Sequence, residues 1–186
     1  MTGEAYTLDQ FLADARSTVR TKGMPAGLAE IRRHLERLLA NRTLLELHLG
    51  RPVAHTNRTT IAHDPETDIH VLVHGRQEGG RSMPHDHGPC WVVYGSYTGY
   101  TRMRRWRRLD GGRAEGHAEL ELAKDWKLEA GHAEAFAVGD IHSIEYPPDT
   151  FFIRVTGGDV EKQVTLRYNL ETKTAELADR SQGARA

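Results

Sequence analysis

Gly79-Gly-Arg-Ser-Met-Pro-His85-Asp-His87-Gly-Pro-Cys-Trp-Val-Val-Tyr94 is the stretch on which the reading of this chain turns. A Gly-Gly turn and a proline lead into two histidines one residue apart, and a short run rich in β-branched and aromatic residues follows. In an extended strand, residues i and i+2 project to the same face, so both imidazoles can reach one point. Neutral imidazole suits Fe, Zn, Ni and Cu, whereas all-oxygen ligation suits Mg or Ca. An isolated pair of this kind is more often a pair of surface histidines.

Outward from this stretch the texture is that of short strands. Asp68–His74, Cys90–Tyr94, Tyr97–Arg108, Ala118–Leu122, Ala133–Val138, Thr150–Thr156, Gln163–Tyr168 and Thr172–Glu176 are β-rich runs. Gly79-Gly80, Asp110-Gly-Gly112, Pro147-Pro148-Asp149 and Gly157-Gly158-Asp159 punctuate them as turns. Many short strands with frequent turns predict an all-β sandwich or barrel. The first fifty residues read differently. Thr7-Leu-Asp-Gln10 has the form of a capping box, and Leu8, Phe11, Leu12, Ala15 and Val19 recur at helical spacing. Gly23 and Pro25 break that helix; Leu28, Ile31, Leu35, Leu38 and Leu39 stripe a second, and Arg42–His48 forms a short third. The expected organisation is a helical segment over 1–54, a β-barrel over 55–178 and a flexible tail over 179–186.

The segment Gly131-His-Ala-Glu-Ala-Phe-Ala-Val-Gly139-Asp-Ile-His142 gives the histidine pair its context. With Gly79, His85 and His87 it reproduces the spacing of the two sequence motifs of the cupins, Ala137 standing where proline is usual. The chain therefore resembles the cupin superfamily over roughly residues 55–170, and within it the cysteine-dioxygenase-like branch. The resemblance implies a mainly β fold, the cupin double-stranded β-helix or jelly-roll barrel, with an N-terminal helical lobe. It implies one metal ion on His85, His87 and His142, Fe(II) first, with Zn, Ni or Mn as alternatives. Many cupins add a glutamate four or five residues after the second histidine; those positions are Trp91 and Val92. An all-histidine site is what the thiol dioxygenases use, and their reaction adds dioxygen to the sulfur of a small thiol-containing acid or amine.

Further candidates follow from the same likeness. Arg58 lies 27 residues before His85, near where cysteine dioxygenases place an arginine for the substrate carboxylate, which a guanidinium matches bidentately. Arg154 is a second candidate, on a strand whose alternate residues face the barrel interior. Trp91, Tyr94 and Tyr97 either wall the pocket, with Tyr94 as the catalytic candidate, or pack in the core. His70 and His74 share strand parity with Leu72, so one of them can face the interior as a partner to the site. Cys90 lies three residues after His87, out of register with the cysteine that some thiol dioxygenases cross-link to tyrosine, and reads as a small buried thiol. Thr156 stands where that tyrosine is expected, and Tyr168 lies further downstream.

Composition narrows the partners. A formal net charge of −1 gives no reason to expect nucleic acid or an anionic membrane, and the basic run Arg102–Arg108 is answered by Glu115, Glu119, Glu121, Asp125 and Glu129, as cross-strand ion pairs require. One cysteine excludes an intrachain disulfide and, with no signal-peptide pattern, fits the cytoplasm. The expected partners are a small-molecule substrate and dioxygen, in a monomer or homodimer. Two alternatives stay open: a cupin dioxygenase acting on a non-thiol carbon substrate, and a non-catalytic cupin that binds a metal or ligand.

Overall fold

A computed structural model describes residues 5–179 of the chain. Three helices come first: α1 (Leu8–Lys22), α2 (Leu28–Leu39) and α3 (Leu44–Leu49). The capping box is formed, Thr7 Oγ1 accepting from the Gln10 amide at 3.2 Å and Gln10 Oε1 from the Thr7 amide at 2.9 Å. Twelve strands follow: β1 (Thr56–Asp64), β2 (Ile69–Arg76), β3 (Gly80–Arg81), β4 (Trp91–Thr98), β5 (Tyr100–Arg108), β6 (Gly116–His117), β7 (Leu120–Glu129), β8 (Ala133–Phe136), β9 (Ile141–Tyr146), β10 (Thr150–Gly157), β11 (Val164–Asn169) and β12 (Thr174–Asp179). A 3-10 turn, Val160–Lys162, precedes β11. Of the expected tail, Asp179 ends β12, and 180–186 lie outside the described residues.

The strands form two facing antiparallel sheets, ordered β1-β2-β10-β4-β8 and β3-β9-β5-β7, with β11-β12-β6 continuing the second beyond β9. The chain crosses between sheets from β4 to β5, β7 to β8, β8 to β9 and β9 to β10, which is the winding of a double-stranded β-helix. Fold class is therefore mainly β, a jelly-roll barrel carrying helices at its N-terminal end.

Strands β2, β10 and β4 of the first sheet are buried on both faces. Val71, Val73, Val93, Ile153 and Val155 pack outward against Phe11, Ile31, Leu35 and Leu38 of the helices, while Val92, Tyr94 and Phe152 point inward with Met103, Phe136 and Ile144. Gly95 lets α2 approach: a Cβ there would lie 2.7 Å from Leu39 Cδ1.

Several strands depart from the sequence expectation: β3 and β6 are short pieces that it did not include, and the run Tyr97–Arg108 is broken at Gly99, where β4 ends and β5 begins. β1 is an edge strand, exposed or half-buried up to Asp64 and with two register shifts, so it shows no apolar alternation. β7 runs on to Glu129 through exposed charged residues that hide its period. β9 is obscured because its first residues are the end of the histidine motif. Along β5 the ion pairs are in place: Arg102 and Arg104 hold Asp125, and Arg104 also reaches Glu145. At Arg105/Trp106 the pairing of β5 with β7 slips by one residue. Among the described residues no helix is long and apolar enough to cross a membrane.

Candidate metal centre

His85 sits at the seam of the second sheet. Its amide donates to the His142 carbonyl at 2.9 Å and its carbonyl accepts from the His142 amide at 3.0 Å, so the two residues are a directly opposed pair with side chains on one face. On the other side the segment is stitched to β11, Tyr168 N donating to Pro84 O at 2.9 Å and Asp86 N to Leu166 O at 3.1 Å. His87 follows two residues on, and the three imidazoles converge. Ring centroids stand 5.1 Å (His85–His87), 4.7 Å (His85–His142) and 4.9 Å (His87–His142) apart, with one nitrogen from each ring within 4.8 Å of the others. All three residues are buried.

The chemistry of this donor set fits a metal ion. His85 Nδ1 lies 2.9 Å from the Met83 carbonyl, which can only accept, so Nδ1 carries the proton and Nε2 offers its lone pair. No carboxylate of the described residues belongs to the group. Trp91 faces the helices and Val92 the apolar interior, at the two positions where a glutamate ligand was sought. Three neutral imidazoles suit a borderline transition metal.

Asp86 turns away from this centre. Its Oδ1 accepts from Leu166 N at 2.9 Å and Gly88 N at 3.0 Å, tying the histidine segment to β11. Gly88 has φ +58°, and a Cβ on it would lie 2.6 Å from the Val164 carbonyl oxygen, so the chain can leave His87 this way only with glycine.

In front of His85 opens a cavity of about 480 Å³ lined by Arg58, His74, Arg76, Arg81, Ser82, Met83, His85, Tyr94, Ile144, Tyr146, Phe152, Arg154, Glu161 and Arg167. The structure thus brings Arg58, His74, Tyr94 and Arg154 to one cavity with His85, against which the rings of His87 and His142 lie. Tyr94 Oη lies 3.3 Å from His87 Nε2, its ring 5.2 Å from that of His142, and it also faces Arg154. Trp91 and Tyr97 do not wall the pocket. Odd positions of β4 face the helices, where Tyr97 Oη donates to Asn41 O at 2.8 Å.

Arg58 and Arg154 meet on one carboxylate, Glu161, which the sequence did not single out; Arg154 Nη2 reaches Glu161 Oε1 at 2.6 Å. Burial pulls the Arg154 guanidinium pKa down, but Tyr94 and Glu161 outweigh it and keep the group charged. His74 faces the cavity, stacked on Phe152 at 4.6 Å. Burial first, then Arg154, Arg76 and Arg58, hold its pKa well below the usual value, so it is neutral. Cys90 lies against Gly158, and burial pushes its thiol up to about 11. Tyr168 is buried in a separate apolar cluster and does not line this cavity, while Thr156 donates to Gly158 O at 2.8 Å. Elsewhere His63 and His70 both contact Asp68 Oδ1 at 2.9 Å, in a more exposed group.

No family model matches the sequence, and no curated protein does. Among solved structures the chain is similar to KdgF from Halomonas sp., at 16% identity and TM-score 0.43 over 55% of this chain and 77% of that one. A cupin superfamily protein from Desulfitobacterium hafniense gives 10% and 0.42 over 64% and 94%. Hydroquinone 1,2-dioxygenase PnpCD, in complex with Cd2+ and 4-hydroxybenzonitrile, gives 14% and 0.43 over 59% and 68%. Similarity at this level carries no chemistry across.

Proposed function

We propose that this chain is an Fe(II)-dependent dioxygenase that adds dioxygen to the sulfur of a small thiol-bearing acid or amine. The observation that carries the reading is the buried, carboxylate-free group His85, His87 and His142 at the end of an arginine-lined cavity. A bound divalent iron would supply a template on which thiolate and dioxygen meet. The overall change balances without an external reductant: the thiol and dioxygen give a sulfinic acid, sulfur losing four electrons and both oxygen atoms ending on it.

The protein's own residues do the rest. The Met83 carbonyl fixes the His85 tautomer, and Asp86 holds the histidine segment on β11. The Arg58–Glu161–Arg154 group presents a guanidinium face to the substrate carboxylate. Tyr94, between His87, His142 and Arg154, is placed to donate a hydrogen bond to the reacting group.

Metal analysis and oxygen uptake test the reading. The purified protein should carry close to one iron per chain, and the iron-loaded form should consume oxygen with cysteine, 3-mercaptopropionate or cysteamine. His142→Ala should lose the metal while keeping its far-UV circular dichroism. An iron-loaded sample that consumes no oxygen with any of the three thiols refutes sulfur dioxygenation and leaves a cupin acting on a carbon substrate or a binding module.

A further inference from the structure

The cavity before His85 holds more positive charge than one carboxylate requires. Arg58, Arg76, Arg81, Arg154 and Arg167 line it against a single carboxylate, Glu161. Both oxygens of Glu161 are already engaged, Oε2 by Arg58 and Oε1 by Arg154. Arg76, Arg81 and Arg167 form no ion pair with the described residues. Arg76 donates to Asn57 Oδ1 at 2.6 Å and stands over the Tyr146 ring at 5.7 Å, and its Nε is buried with no hydrogen-bond partner. Arg81, on β3, lies four residues before His85 on the same segment, and Arg167 stands opposite His85 on β11. His74, uncharged and apposed to Arg154, Arg76 and Arg58, adds no negative charge.

Like charges gathered in a half-enclosed cavity repel, and among the described residues no carboxylate forms an ion pair with these three. Elsewhere on the barrel arginines are paired, as Arg102, Arg104 and Arg108 are with Asp125, Glu145 and Asp110. Guanidinium is the group that grips carboxylate or phosphate oxygens by a planar fork. We infer that the molecule bound here is a compact acid with two or three negative charges, one end at His85 and Tyr94 and its remaining anionic groups on Arg76, Arg81 and Arg167. This rests on the metal-centred reading above and narrows it: amines such as cysteamine are not the natural substrate, and a monocarboxylate uses only part of the site. Carboxylate and phosphate share the recognising chemistry.

Calorimetric titration of the metal-loaded protein with butyrate, succinate, propane-1,2,3-tricarboxylate and 3-phosphonopropionate tests the inference, with metal retention checked after each run. Affinity should rise about tenfold or more with each added carboxylate, the increment of one charged hydrogen bond. Arg81→Gln and Arg167→Gln, both at exposed positions that leave the core intact, should each cost the tricarboxylate about tenfold and butyrate nothing. Whether 3-phosphonopropionate binds above or below succinate tells a phosphate-bearing guest from a polycarboxylate. Equal affinity along the series, or no effect of either substitution on the tricarboxylate, overturns the inference.

Oxygen uptake separates it from the reading it rests on. If the affinity series holds and no thiol, 2-mercaptosuccinate included, is oxidised, the polyanion site stands and sulfur dioxygenation falls. If 3-mercaptopropionate is oxidised as fast as 2-mercaptosuccinate and the series is flat, the reverse is true.

Discussion

Replacing Asp86 by alanine removes the acceptor that ties the histidine segment to β11. Two donors lose their partner: the buried Leu166 amide, 2.9 Å from Oδ1, and the partly buried Gly88 amide at 3.0 Å. A hydrogen bond to a charged group contributes about 1.5–3 kcal/mol, and stranding the buried Leu166 amide costs about 2 kcal/mol. Gly88 is less enclosed, so water can replace part of its loss, about 1 kcal/mol. The expected destabilisation is about 3 kcal/mol, readable as a lower midpoint at unchanged slope in urea unfolding followed by tryptophan fluorescence. Asp86→Asn keeps an oxygen in place and should cost about 1 kcal/mol, the charge assistance alone. Because Asp86 lies between His85 and His87, Asp86→Ala should also weaken metal binding by about 10–100-fold in a chelator competition. Alanine costing less than 1 kcal/mol, or costing 3 kcal/mol with metal affinity unchanged, would refute Asp86 as a positioning residue.

Gly88→Ala forces a side chain into the left-handed region and against the Val164 carbonyl, and thermal unfolding should show a loss of about 2 kcal/mol or more. His74 has a folded pKa below its unfolded value near 6.5, so the unfolded chain binds the extra proton and stability is lost as pH falls below that value. The slope it adds is at most about 1.4 kcal/mol per pH unit, and His74→Phe should remove it from urea midpoints compared between pH 7 and 5. Cys90, buried with its pKa at about 11, should react with a thiol reagent at neutral pH only on unfolding; rapid labelling of the native protein contradicts its packing against Gly158.

Legibility in the sequence followed how local each determinant is. α1 was readable because its capping box lies within four residues, and α2 because its apolar stripe repeats along one helix. β2, β4 and β10 were readable as apolar runs because both of their faces are buried. β1 and β7 carry threonine and charge on exposed faces, where no burial imposes a period. The histidines stood out because two lie on one segment and the third closes a spaced motif. Glu161, Tyr146, Arg76, Arg81 and Arg167 carry no local signal. They share a cavity only because β2, β3, β9, β11 and the 3-10 turn converge there, and that pairing cannot be read from any one strand.

The polar lumen is sustained by what lies on the other face of the same strands. Burying one valine or isoleucine contributes about 1.5–3 kcal/mol, and Val71, Val73, Val93, Ile153 and Val155 are fully buried against the helices. Next to them in sequence stand the residues whose burial is costly: His74 on β2, Tyr94 on β4 and Arg154 on β10. Side-chain parity joins the two sets, since a slip of one residue would turn Arg154 and His74 onto the leucines of α2 and put valines in the cavity. Such a slip would strand two guanidinium-bearing or imidazole side chains in apolar surroundings while exposing the apolar ones to a wet pocket. The helices therefore do more than cover a sheet: by claiming the odd-numbered residues of β2, β4 and β10, they fix the even-numbered ones to the lumen in which the histidines stand.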